Sequence, residues 1–97
     1  MEIEKIKTYV GFAIKSRNIV YGVDEITKKP KSEIILYSSS LTKSGQEKLS
    51  FFADKNKIFI KVLEQEEFYE IIHSENIKAI AVLDKNLADA IKKNLTI

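Results

Sequence analysis

The 97-residue sequence predicts a single α/β domain over residues 1–97, built as a three-layer α/β/α sandwich around a central four-stranded mixed sheet. Three observations lead there. Segments with helical spacing alternate with short β-prone runs along the chain, an order that puts helices on both faces of a sheet. Two of those runs, residues 33–37 and 77–83, are apolar almost without interruption, the mark of strands buried on both faces. The composition, 44% hydrophobic and 31% charged with no cysteine, is that of a soluble globular chain that stands on packing rather than on disulfides. A reducing, cytoplasmic setting is the expectation.

In chain order, Ile3, Ile6, Val10, Ala13 and Ile14 recur every three or four residues and predict a first helix over about residues 2–16, with Asn18 ending it in the left-handed conformation. Residues 19–21 form a short strand stopped by Gly22. A second helix over residues 23–29 is barely two turns long, because Pro30 disfavours helical geometry at Lys29. The strand at 33–37 is central. Ser44-Gly45-Gln46-Glu47 reads as a capping box, with Ser44 as N-cap of a third helix whose apolar stripe is Leu49, Phe52 and Ala53. Residues 58–63 supply another strand. A short helix follows, acidic at its start (Glu64, Glu66, Glu67) and inward-facing at Phe68, Ile71 and Ile72. After the last strand, Asp84 caps a final helix with the stripe Leu87, Ala88, Ile91 and Leu95. Leu36, Leu49, Ile60, Ile80 and Ile91 are expected in one core.

Little in the chain suggests catalysis, and no enzyme is expected. His73 is the lone histidine, so paired-imidazole metal sites have no second ligand, and it reads as a surface or capping residue. Ser38-Ser39-Ser40 lacks the G-x-S-x-G turn of a nucleophile elbow. The three glycines, Gly11, Gly22 and Gly45, assemble neither a P-loop nor a dinucleotide fingerprint. The acids between Glu64 and Glu70 lack the spacing of a calcium loop and read as a solvated helix face. No cofactor, metal or small-molecule substrate is expected. No apolar run approaches the roughly 20 residues of a membrane span, and no membrane partner is expected. Charge is uneven: residues 1–60 carry 11 Lys and Arg against 7 Asp and Glu, residues 61–97 carry 5 against 7. The front is basic, which raises association with nucleic acid, but a net of +4 over 60 residues is less than a typical binder concentrates on one face and by itself reads as a solvated surface.

Gly11-Phe12-Ala13, then Tyr21-Gly22-Val23-Asp24-Glu25-Ile26-Thr27-Lys28, a buried strand, and finally Ala81-Val82-Leu83-Asp84-Lys85-Asn86-Leu87-Ala88 carry a family resemblance. Together they resemble the kink-turn RNA-binding ribosomal proteins of the L-seven-Ae, L-thirty-e and Gadd-forty-five type, with the bacterial members nearest. The likeness covers about residues 6–91 in element order, and residues 22–28 correspond to the family motif Gly-x-Asn-Glu-x-x-Lys. It implies a three-layer sandwich and binding of a sharply bent RNA duplex, on or off the ribosome, through the N-terminus of the second helix and the loop entering the fourth. The RNA-contacting residues it implies are Gly22, Val23, Asp24, Glu25 and Lys28, with Leu63 and Glu64 opposite. Lys15 and Arg17, ahead of the first strand, would add phosphate contacts. Glu25 would accept from the amino and imino groups of a guanine.

The sequence also departs from that motif. Asp24 stands where the family has Asn, removing an amide donor and adding a charge that repels phosphate. Pro30 cuts short the basic segment after the second helix, and Glu64, Glu66 and Glu67 put carboxylates in the loop opposite. The alternative is therefore a protein–protein adaptor or homodimer on the same fold with RNA binding lost, using apolar positions such as Phe12, Tyr21, Phe59 or Tyr69 if these form an exposed patch.

Overall fold

A computed structural model describes all residues, Met1–Ile97. Nine elements alternate as expected: α1 (Ile3–Lys15), β1 (Ile19–Tyr21), α2 (Val23–Ile26), β2 (Ile34–Ser38), α3 (Lys43–Asn56), β3 (Phe59–Leu63), α4 (Gln65–Ile72), β4 (Ala79–Val82) and α5 (Lys85–Leu95). The strands make one mixed sheet in the order β1-β4-β2-β3, with β4 antiparallel to both of its neighbours and β3 parallel to β2. The chain is an α/β/α sandwich, as the alternation predicts.

The two long apolar runs are the two inner strands. In β4 every residue is buried, and the pleat divides them: Ile80 and Val82 face α1, α4 and α5, whereas Ala79 and Ala81 face α2 and α3. In β2, Ile34 and Leu36 join the first group and Ile35 the second. The expectation of one core is thus corrected. The sheet separates two cores, with Leu36, Ile80 and Ile91 in the larger one and Leu49 in the smaller, against which Ile60 is only partly buried. A sheet covered on both sides has to do this, because alternate residues point to opposite faces.

Several local expectations shift by a residue or two. Arg17, not Asn18, takes the left-handed conformation after α1 (φ 60°); the Asn18 backbone N–H instead bonds the Ala13 carbonyl at 2.8 Å. Thr42, not Ser44, caps α3, its hydroxyl accepting from the Gly45 N–H at 3.1 Å, so the helix starts two residues earlier than the Ser44 box implies. The box motif recurs instead at α4, where the Glu67 carboxylate accepts from the Glu64 N–H at 3.3 Å. Asp84 caps α5 as expected, accepting from the Leu87 N–H at 2.8 Å. Helix α2 is a single turn, half the expected length. No helix is long and apolar enough to cross a membrane.

Candidate nucleic-acid interface

The motif residues sit where edge strand β1 turns into α2. Gly22 makes the turn. Its N–H donates to the Ala79 carbonyl at 2.9 Å and its carbonyl accepts from the Ile26 N–H at 3.0 Å, with φ 87° and ψ 152° between them, a conformation essentially reserved for glycine. Ile26 is fully buried beside Leu49 and Ala53 of α3, which fixes the turn against the body. Thr27 braces it, its hydroxyl donating to the Val23 and Asp24 carbonyls. Asp24, Glu25 and Lys28 are left exposed, and no side chain caps the turn.

Glu25 and Lys28 share one face, and Lys28 Nζ lies 3.2 Å from Glu25 Oε2 with both side chains more than half exposed. Exposed pairs of this kind are worth at most about 1 kcal/mol, so a ligand that offers phosphate to one and base edges to the other separates them cheaply. A single turn sums few peptide dipoles. The helix N-terminus expected to hold phosphate is accordingly reduced to one turn without a side-chain cap.

The remaining site residues are more dispersed than the sequence suggests. Because β1, β2 and β3 run the same way, Gly22, Ser38 and Leu63 finish at one end of the sheet. Lys15 and Arg17 precede β1 and so lie at the opposite end, about 10 Å away at 3.3 Å per residue over three residues. Leu63 is buried, offering only its carbonyl, which accepts from the Ser39 N–H at 2.8 Å. It also belongs to the far edge strand, three strand spacings or about 14 Å from β1. That distance exceeds the Debye length of about 10 Å, so the Glu64 and Glu66 carboxylates act on the Gly22 turn more weakly than their place in the sequence suggests. Between the two edges lies Lys78, whose carbonyl accepts from Ser38. Lys78 sits inside an apolar run of the sequence and meets its neighbours only once the sheet is ordered.

The other polar candidates are engaged elsewhere. Ser38 is buried with its hydroxyl 2.7 Å from that of Ser40, and His73 is the left-handed residue ending α4, its ring edge-on to Tyr69. Phe12, Tyr21, Phe59 and Tyr69 are each exposed, but Tyr21 and Phe59 lie on opposite edge strands, so the four form no single patch.

No protein-family model matches the chain, and no curated protein matches it in sequence. Among solved structures it is similar to a protein of unknown function from Bacillus halodurans, with a TM-score of 0.84 and 18% identity over 96% of this chain and 98% of that one. The likeness extends over the whole sandwich. At that identity it defines a shared fold and nothing further.

Proposed function

We propose that this protein binds a sharply bent, structured RNA through the β1–α2 turn, in the cytoplasm and on a ribosomal or related RNA as the family resemblance implies. One observation carries the reading: Gly22, in its glycine-only conformation, projects Glu25 and Lys28 side by side from the surface on a buttressed turn. Glu25 supplies acceptors for a guanine edge, and Lys28, released from Glu25, neutralises an adjacent phosphate. Asp24 beside them weakens the contact by its charge.

The test is a titration of a kink-turn duplex and a straight duplex of equal length, each at low and high salt. Binding is expected for the kinked duplex only. Lys28→Ala lessens the salt slope by about one unit, and Asp24→Asn, which restores an amide donor and removes a charge, tightens binding. No binding by the parent chain at low salt, together with none by Asp24→Asn, overturns the reading. A second reading, self-association, is favoured by the free edge of β3, where Phe59 and Val62 are exposed. A dimer in sedimentation that Val62→Lys dissolves would support it.

A further inference from the structure

Beside the β1–α2 turn, α2 and α3 enclose an open cleft of about 520 Å³ lined by Asp24, Thr27 and Pro30 on one side and by Lys48, Phe51 and Lys55 on the other. Phe51 is 74% exposed, more than any other large apolar residue of the chain. Its burial contributes little to the fold. Lys48, Phe51 and Lys55 stand at helical positions i, i+3 and i+7, so the ring is flanked along one face of α3 by a cation on either side. Neither lysine takes part in an ion pair: the two salt bridges of the protein are Lys28 with Glu25 and Lys85 with Asp89. Asp24 is the single carboxylate of the lining. Glu47 and Asp54 of α3 do not line the cleft: at i−4 and i+3 from Phe51 they flank the ring on the side turned away from the cleft, as Lys48 and Lys55 do on the cleft side.

We propose that this face of α3 is a stacking platform for a single-stranded RNA segment, with Phe51 carrying a base and Lys48 and Lys55 holding the phosphates on either side. The choice of RNA as the polymer rests on the proposed function, since the cleft adjoins the turn assigned there to a bent duplex and Asp24 borders both. A strand leaving the duplex would pass directly onto the platform. The dimensions agree: seven residues of helix span about 10 Å, the length of about three stacked nucleotides at 3.4 Å each. Charge complementarity favours this occupant over a protein. A protein anchor needs an apolar, desolvated pocket around its aromatic, whereas this cleft is open and, apart from Phe51, Phe52 and Pro30, lined by polar and charged side chains. Every base offers a π-face, so the platform tolerates any sequence and depends strongly on salt.

The experiment uses the full chain and a fluorescein-labelled oligouridine, which forms no duplex, with fluorescence anisotropy at about 50 and 200 mM salt. The parent chain is expected to bind at the lower salt. Phe51→Ala should weaken binding about tenfold, Phe51→Tyr should retain it, and Lys48→Ala and Lys55→Ala should each lessen the salt slope by about 0.7. A blunt kink-turn duplex, which leaves the platform empty, should bind Phe51→Ala and the parent equally. Because Phe51 is exposed, the variant keeps its fold, which circular dichroism verifies. No oligouridine binding at low salt, or equal binding by Phe51→Ala, overturns the proposal. So does a dimer in sedimentation that Phe51→Ala dissolves, which would make the face a protein contact. The proposed duplex site fails by a different result, absence of kink-turn binding, and that failure leaves the oligouridine arm readable.

Discussion

The same substitution, glycine to alanine, should change stability in opposite directions at Gly11 and Gly22, for reasons visible in the backbone. An added Cβ meets nothing within 4 Å at either position, so steric crowding drops out of the comparison. Gly11 lies inside α1, where alanine is favoured over glycine by about 0.5–1 kcal/mol. Gly22 has φ 87° and ψ 152°, where a residue with a Cβ carries about 1–3 kcal/mol of strain. Against that stands the stiffer unfolded chain, which returns about 0.4–1 kcal/mol. Gly22→Ala should therefore lose about 1–2 kcal/mol while Gly11→Ala gains. The two variants should differ by about 2 kcal/mol, or roughly 10 °C in melting temperature for a domain of this size. Chemical denaturation with equal m-values checks the first figure and calorimetry the second. A Gly22→Ala protein as stable as the parent would mean that the turn relaxes to negative φ without loss. The rigid presentation of Glu25 and Lys28 would then have no basis.

Three further outcomes are expected. Thr42→Ala should cost about 1 kcal/mol through the lost cap on the Gly45 N–H, while Ser44→Ala should be close to neutral; the reverse order in urea unfolding would return the cap to Ser44. Leu36→Ala and Leu49→Ala should each cost about 2–5 kcal/mol, and because they lie in different cores their costs should add in the double variant, so strong coupling in denaturant unfolding would contradict two separate cores. The hydrogen bond from Lys85 Nζ at 2.8 Å holds the Asp89 carboxyl below its ordinary value and raises Lys85. With the sign this implies, the Asp89 contribution is present above its unfolded value and fades as pH falls through the lowered one; the Lys85 contribution is present below its unfolded value and fades as pH rises through the raised one. Carboxyl NMR should place Asp89 below an ordinary aspartate and Lys85→Met should return it upward; no movement in that variant would disprove the pairing.

What the sequence determined by itself was local or set by periodicity. The alternation of elements follows from spacings of three and four against continuous apolar runs, and the Asp84 cap and the Gly22 stop depend only on near neighbours in the chain. The exposure of Glu25 and Lys28 was legible for the same reason, since two residues three apart on a turn beside a buried Ile26 have one way to face. Tertiary structure decided the rest. Strand order depends on hydrogen bonds between segments far apart in sequence, and insertion of β4 between β1 and β2 separates Gly22 from Leu63 by the width of the sheet. The choice of Thr42 over Ser44 and of Arg17 over Asn18 turned on where packing set the helix ends, which capping preferences alone leave open by a residue or two. Phe51 shows the limit most clearly. The residue next to it, Phe52, is of the same type and half-buried, and only the seating of α3 on the sheet leaves one ring packed inward and the other in water beside two unpaired lysines.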